Sequence, residues 1–141
     1  MANATVIWKE GMHFEGQARG HTLQMDAQPE PGAGAGMSPM SMVLVALGGC
    51  TAMDIVHIMQ KEHQTLTGLT VEVEAERAQD YPMVFTKITL VYRLRGRGLS
   101  RKLAERAVEL SEEKYCSVGQ MLNKTAAITS RIEIEEETAA A

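Results

Sequence analysis

Residues 38–62 form a long apolar segment that constrains the fold more than any other part of the chain. Ser38 followed by Pro39 is typical of a helix start, because the hydroxyl can accept an unpaired backbone N–H and proline needs no donor there. The residues that follow are apolar on nearly every face, which is typical of a buried helix. Asp54 and His57 interrupt the run and no basic flank accompanies it, so we interpret it as the central helix of a soluble protein, not as a membrane span.

The length and net charge of the chain indicate how many domains it has and which partners it can bind. Its 141 residues are enough for one hydrophobic core, so we expect a single domain over residues 1–141. A net charge of -4 argues against nucleic acid as a partner, since binding phosphates needs a basic face. The first ten residues lack the basic and apolar regions of a signal peptide, so we expect a cytoplasmic protein with reduced cysteines.

The remaining sequence predicts strands and helices that are segregated along the chain. Alternation and turn residues predict three short strands before the central helix and three after it. Their ranges are Ala4–Lys9, His13–Gly16, Thr22–Asp26, Leu69–Arg77, Val84–Leu94 and Ile128–Glu135. Two helices are predicted, one capped by Ser100 and running to Glu113, the other starting at Ser117 and running to Lys124. This order predicts an α+β fold, with residues 28–36 as an exposed connection and 136–141 as a frayed tail.

Two cysteines are the candidate chemical groups. Cys50 follows two glycines in the central helix, which let another backbone or a small ligand approach the sulfur. Cys116 precedes a predicted helix whose amino-terminal dipole would lower the pKa of the thiol. The alternative is a pair of inert core thiols, since free cysteine is commonly buried. Their spacing leaves both interpretations open.

Other polar residues near Cys50 are weaker candidates. Asp54 lies one helical turn away, where a negative charge would oppose formation of the thiolate. His57 would lie about 10 Å from Cys50 along the helix axis, too far for a hydrogen bond, so we interpret it as a buried histidine bound to a carbonyl. The other histidines lack ligand spacing, so the sequence predicts no metal site, and we expect no cofactor.

Two runs of sequence resemble a known family. SPMSMVLVALGGCTAMDIV and, later, LSEEKYCSVGQML are similar to the cysteine regions of the OsmC/Ohr family of thiol-dependent hydroperoxide reductases, and specifically to its YhfA-like branch. The resemblance covers essentially the whole chain. It implies an OsmC-like fold in which an antiparallel, six-stranded sheet wraps around the long central helix. It also implies an intertwined homodimer with its active site at the subunit interface.

The resemblance also implies a reaction. Cys50 matches the peroxidatic cysteine and Cys116 the resolving one, so an organic hydroperoxide would oxidise Cys50 to a sulfenic acid. A Cys50–Cys116 disulfide would follow, and an external dithiol would reduce it. Arg19 is the candidate for the arginine that activates the thiolate, with Arg77, Arg93 and Arg95 as substitutes. A role in the oxidative stress response is the expected function.

One position departs from the family pattern. The peroxidase branches carry a glutamate ten residues before the first cysteine, and here Met40 stands at that position. Without that carboxylate the activating arginine would be less well held. The departure favours an alternative function, a protein that binds a small molecule or lipid in the same pocket with weak or no peroxidase activity.

Overall fold

The computed structural model describes residues 1–138 and contains the predicted order of strands and helices. The strands are β1 (Thr5–Glu10), β2 (His13–Ala18), β3 (His21–Met25), β4 (Thr65–Arg77), β5 (Phe85–Arg97) and β6 (Ala127–Glu136). The helices are α1 (Pro39–Lys61), α2 (Arg101–Leu110) and α3 (Ser117–Leu122), and a π-helical turn (Ser111–Tyr115) follows α2. The α+β class is confirmed.

The chain divides into two compact units, residues 1–43 and the part from Leu44 onward. The first contains the antiparallel sheet β1-β2-β3, and the second contains the sheet β4-β5-β6. The six strands therefore form two three-stranded sheets, where the resemblance implied a single six-stranded one. Consecutive strands joined by short turns pair locally, which accounts for each antiparallel pair. The prediction of a single domain over residues 1–141 stays a prediction.

The second sheet contains one parallel pair, which differs from the antiparallel arrangement expected. β4 and β5 pair antiparallel, whereas β5 and β6 pair parallel, with Ile88 opposite Ile128. Parallel strands need a crossover connection, because the chain must return to the end of the sheet where the first strand started before the next strand begins. Here α2, the π-helical turn and α3 form that crossover connection. Cys116 lies within it.

The part of helix α1 that belongs to the second unit, from Leu44 onward, buries one face there. The start of α1 is as predicted, since the backbone N–H of Ser41 donates to Ser38 Oγ at 3.2 Å. The buried positions follow a spacing of about four residues: Leu47, Gly48, Thr51, Ile55 and Met59. At Gly48 an added Cβ would lie 3.1 Å from Val73 Cγ2, so this glycine lets β4 pack closely against the helix. The approach of a backbone or a small ligand to the Cys50 sulfur, expected from the glycine pair, stays a prediction.

The opposite face of α1 is exposed, although the sequence predicted burial on every side. Val45 is 59% exposed and Met53 76% exposed, and they lie two turns apart on one face. By length and composition α1 could cross a membrane, but a core helix passes the same test. A single chain therefore leaves an apolar stripe on this helix uncovered.

Between β5 and β6, helix α2 starts as predicted, but it ends earlier than predicted and the next helix has a different N-cap. Ser100 caps α2 as expected, with its Oγ accepting from Leu103 N at 3.2 Å, but regular helix ends at Leu110 and gives way to the π-helical turn. Cys116, and not Ser117, is the N-cap of α3, because its Sγ accepts from the backbone N–H of Gly119. The predicted capping box at Ser117 is wrong by one residue.

The end of β6 is held in place within the described residues. The backbone N–H of Glu137 donates to Gly96 O at 2.7 Å, and its carboxylate lies 3.3 Å from Arg97 Nε. Strand β6 includes Glu136, and Glu137 is hydrogen-bonded to the sheet, so the prediction of a frayed tail is wrong at these two residues. Residues 139–141 of that predicted tail lie outside the described residues.

Candidate functional site

The two cysteines meet beside an aspartate. The Sγ atoms of Cys50 and Cys116 and a carboxylate oxygen of Asp54 all lie within 4.8 Å of one another. Cys50 and Asp54 are one turn apart on α1, whereas Cys116 comes from the start of α3. Both cysteines are free thiols. The fold thus brings together two thiols that are far apart in the sequence, and we call these three residues the thiol cluster.

Cys116 is the buried member of the thiol cluster. Its side chain is fully buried, and its Sγ accepts a hydrogen bond of 3.2 Å from Gly119 N. The pKa of the Cys116 thiol is raised to about 12, mainly by burial and also by the nearby Cys50 and Asp54, while the Gly119 N–H acts in the opposite direction. The helix-start argument predicted a lowered pKa, and that prediction is wrong. The N–H is present, but removal of the sulfur from water outweighs it.

Asp54 is fixed by a neighbour from the crossover connection. The hydroxyl of Ser111 donates to Asp54 Oδ2 at 2.9 Å, and Ser111 is itself fully buried. The π-helical turn places Ser111 at this position. The sequence predicted that Asp54 shares a face with Cys50, and the thiol cluster agrees with it. Ser111 was not predicted, because a serine within a helical pattern gives no signal of its own.

His57 does not belong to the thiol cluster. It was predicted to be a buried histidine bound to a carbonyl, but its side chain is exposed, and the prediction of burial is wrong. It lies on the part of α1 that turns towards solvent. There it lines a surface groove together with Asp54, Ile58, Lys61, Glu62, Leu110 and Tyr115.

A second pair of polar side chains lies close to Cys116 and was not predicted. The Tyr92 hydroxyl donates to Glu112 Oε1 at 2.9 Å, and Tyr92 is fully buried in β5. Burial, and then the negative charge of Glu112, raise the pKa of Tyr92 above its usual value. Gln120 Nε2 donates to the backbone oxygen of Glu112 at 2.7 Å. The only sequence signal was a tyrosine within the strand predicted over Val84–Leu94.

Cys116 borders a small cavity of about 130 Å³. Its lining residues come from α1, the sheet and the crossover connection: Leu47, Thr51, Leu90, Glu112, Cys116, Gly119, Asn123 and Ile128. The walls are mainly apolar with a few polar groups, a combination common in sites that bind small organic molecules. Asp54 borders the surface groove described above, so the thiol cluster adjoins both spaces.

The arginines predicted to activate Cys50 lie in different surroundings. Arg19 is in the turn between β2 and β3, within the first unit, with a positive φ of 51°. Arg93 forms ion pairs of 2.7 Å with Glu72 and with Glu133 on the outer face of the second sheet.

The other two candidate arginines, Arg77 and Arg95, lie in a hydrogen bond to a loop carbonyl and on an exposed strand face, respectively. Arg77 Nε donates to Met83 O at 2.9 Å near the turn between β4 and β5, and Arg95 is an exposed residue of β5. Arg93 and Arg95 alternate with the buried Tyr92 and Leu94 along β5, so they point away from the buried face. We assign none of the three substitutes to the site, and the role of Arg19 stays a prediction.

Comparison with known proteins agrees with this architecture. A family model described as OsmC-like protein matches residues 32–131. Protein YhfA of Escherichia coli (strain K12) is 44% identical over 132 residues, which cover 93% of this chain and 96% of that protein.

Two solved structures resemble the fold. An OsmC-like protein from Mycoplasma pneumoniae has a TM-score of 0.83 at 15% identity and covers 95% of this chain and 96% of its own. An organic hydroperoxide resistance protein OsmC from Legionella pneumophila has a TM-score of 0.66 at 17% identity, with 94% and 96% covered. At these identities the likeness concerns the fold alone. The family match and the likeness to YhfA go further, and the chain belongs to the OsmC-like family.

Proposed function

We propose that this chain is a thiol-dependent peroxidase that reduces organic hydroperoxides through Cys50 and Cys116. The observation that carries the proposal is the thiol cluster, in which two free thiols from distant segments lie within 4.8 Å of each other. Membership of the OsmC-like family supports it, as does a fold shared with a protein whose name includes organic hydroperoxide resistance.

The unequal surroundings of the two thiols support different roles. Cys50 is only partly buried, whereas Cys116 is fully buried with a pKa raised to about 12. A thiol with that pKa is almost entirely protonated at neutral pH and is a poor nucleophile. Cys50 is therefore the residue that attacks the peroxide, and Cys116 is the resolving thiol, which reacts afterwards with the oxidised Cys50.

The reaction proceeds in three steps. The Cys50 thiolate attacks the outer oxygen of the hydroperoxide, the O–O bond breaks, and the alkoxide leaves as an alcohol after taking a proton. Cys50 is now a sulfenic acid. Cys116 attacks its sulfur, a disulfide forms, and the hydroxyl group leaves as water with the Cys116 proton. An external dithiol then reduces the disulfide and becomes a disulfide itself.

Asp54 would assist the second step. Cys116 must lose its proton when it attacks, and its pKa makes that loss difficult without an acceptor. The Asp54 carboxylate lies within 4.8 Å of both sulfurs and is held by Ser111. It can accept the proton from Cys116 and pass it to the departing hydroxyl group. Arg19 is proposed, from the family resemblance alone, as the cation that stabilises the Cys50 thiolate.

The proposal includes the partners and the location expected from the sequence. A homodimer would cover the exposed apolar stripe on α1, an external dithiol would supply electrons, and an apolar hydroperoxide would enter next to the mainly apolar cavity. Neither nucleic acid nor a membrane is proposed as a partner, and the location proposed is the cytoplasm. The role proposed is in the oxidative stress response.

The test is turnover of cumene hydroperoxide with dithiothreitol as the reductant. We expect Cys50→Ser to abolish consumption. Cys116→Ser is assayed without dithiothreitol, because a dithiol reduces a sulfenic acid directly, and should consume one equivalent and leave a sulfenic acid at Cys50 that dimedone traps. Ser117→Ala, next to Cys116 but exposed, is the control and should retain turnover. Consumption that persists in Cys50→Ser would overturn the proposal.

One observation favours a second function. Met40 replaces the family glutamate, and the cavity beside Cys116 is small and mainly apolar. A protein that binds a small apolar molecule with weak or no peroxidase activity would have these features. Retention of a small apolar ligand that protects Cys116 from alkylation, without peroxide turnover, would favour this alternative.

A further inference from the structure

The thiol cluster has the composition of a metal site. It presents two sulfur atoms and one carboxylate oxygen within 4.8 Å of one another. Thiolate and carboxylate are ligands that Zn²⁺ accepts in tetrahedral sites, at about 2.3 Å for sulfur and about 2.0–2.2 Å for oxygen. Calcium and magnesium prefer all-oxygen sites, so two sulfur donors select against them.

Two of the three donors are held by hydrogen bonds of their own. Ser111 donates to Asp54 Oδ2, which leaves Oδ1 available to a cation. The Gly119 N–H donates to Cys116 Sγ. Metal ligands in proteins are commonly oriented by such outer contacts, whose loss weakens binding about 10–100-fold. These hydrogen bonds restrict where the aspartate and the buried sulfur can move.

The closure needed for coordination is small. Two sulfurs bound to one Zn²⁺ in tetrahedral geometry lie about 3.8 Å apart, against an upper limit of 4.8 Å in the thiol cluster. Cys50 is the least restrained donor, since it is only partly buried. A change of the Cys50 side-chain torsion can bring its sulfur towards Cys116 while Cys116 itself stays in place.

We propose that Cys50, Asp54 and Cys116 form a binding site for a thiophilic divalent cation of the Zn²⁺ class. Three protein ligands leave the fourth tetrahedral position to water. The site exists only while both cysteines are reduced, because a disulfide removes both thiolate ligands. The proposal concerns metal binding and does not depend on peroxidase activity.

Oxidation would release the metal. One organic hydroperoxide and two protons convert the zinc-bound dithiolate into the Cys50–Cys116 disulfide, an alcohol, water and free Zn²⁺. The two thiolates lose the two electrons that the peroxide gains. Metal binding and disulfide formation therefore exclude each other.

The test is titration of the reduced, metal-free protein with Zn²⁺ against a chromogenic chelator, without peroxide. We expect one Zn²⁺ per chain, and at least about 10–100-fold weaker binding in Cys50→Ser and in Cys116→Ser. Asp54→Asn should weaken binding about tenfold or more, and its amide oxygen can still accept from Ser111. Co²⁺ should give a thiolate-to-metal absorption band in the wild type that is lost in either cysteine variant.

Two controls separate this site from adventitious binding. His57→Ala removes a nearby metal-binding group outside the thiol cluster, and Asp80→Asn removes an exposed aspartate. Both should bind Zn²⁺ as the wild type does. Unchanged binding in the cysteine variants, unchanged binding in Asp54→Asn, loss in His57→Ala, or no binding at all would each overturn the proposal. Peroxide turnover is measured separately with a chelator present, so either proposal can fail alone.

Discussion

The hydroxyl of Ser111 donates a 2.9 Å hydrogen bond to Oδ2 of Asp54, 57 residues away. This bond links the π-helical turn to the central helix at the thiol cluster. Ser111 is fully buried, whereas Asp54 is only partly so. The same contact therefore contributes to stability and sets the position of the carboxylate beside both sulfurs.

Replacement of Ser111 by alanine should destabilise the protein. A hydrogen bond to a charged group contributes about 1.5–3 kcal/mol, and partial access of water to Asp54 favours the lower half of that range. Denaturant unfolding of the reduced protein measures the change. Ser117→Ala, six residues later and exposed, is the matched control and should change the free energy of unfolding little. Equal effects of the two variants would contradict a specific role for the Ser111 hydrogen bond.

Mild oxidation should link Cys50 to Cys116. The two sulfurs lie within 4.8 Å, and a disulfide needs about 2.05 Å, so side-chain rotation must bring them together. Mass spectrometry of non-reduced peptides after one equivalent of hydroperoxide should find this pair. In Cys116→Ser, one equivalent should leave Cys50 as a sulfenic acid, and a second equivalent should convert it to the sulfinic acid. An overoxidised Cys50 with Cys116 free in the wild type would show that resolution by Cys116 does not occur.

The stability of the reduced protein should fall as pH rises from about 9 to about 12. The pKa of Cys116 is raised from its usual value of 9.0 to about 12 in the folded protein. The folded state therefore keeps a proton that the unfolded chain loses in this window. Stability from this thiol is complete below pH 9 and is lost as pH approaches 12.

Comparison with Cys116→Ser isolates this effect. Unfolding free energies of both proteins are measured across the window, and the wild type should lose more stability than the variant. Tyr92 also has a raised pKa, mainly because of burial and Glu112, and both causes remain in the variant, so most of its contribution cancels in the difference. Parallel curves for the two proteins would contradict the assignment to Cys116.

The exposed stripe on α1 should lie in a dimer interface. Val45 and Met53 are largely exposed in one chain, and apolar side chains on one helix face are stabilised when a partner covers them. Sedimentation at low micromolar concentration should find a dimer, and Met53→Glu should weaken it. Met121→Glu replaces a methionine of α3 that is 67% exposed and should leave the dimer intact. A folded wild-type monomer would exclude this arrangement.

Introducing the family carboxylate should raise activity. Met40→Glu restores a group that could hold an arginine, with Arg19 the proposed partner, and the rate with cumene hydroperoxide should increase. Met40→Gln has a similar size without the charge and should not increase the rate. Thermal unfolding of both variants shows whether a new, partly buried charge destabilises the protein. A folded Met40→Glu variant with unchanged or lower activity would favour the binding-protein alternative.

The sequence predicted the elements well because their patterns are local. The alternation of residues 69–77 predicted β4, and Ser38 and Ser100 marked two helix starts that the structure confirms. The parallel pairing of β5 with β6 could not be read from alternation, since period two is the same in both directions. The exposed face of α1 was missed because an apolar surface does not reveal whether its own chain covers it.

The candidate site was only partly predictable. The cysteines were selected by residue type and family resemblance, but their proximity depends on tertiary packing. The direction of the Cys116 pKa was wrong because a helix start is visible in the sequence while burial of the sulfur is not. Tyr92 and Glu112 form a partly buried pair across 20 positions, and no spacing rule connects a strand tyrosine to a glutamate of a π-helical turn.

The crossover connection has a consequence for how the protein is made. Cys116 lies between β5 and β6, and β6 pairs with β5 only after residues 127–136 have left the ribosome. Closing this long connection costs chain entropy before the parallel pair returns any stability, so the pairing is a late event in folding. A nascent chain therefore carries Cys50 without its partner until Cys116 has been made, 66 residues later. Ile128 of β6 lines the same cavity as Cys116, so the walls around the buried sulfur are complete only when this strand is in place.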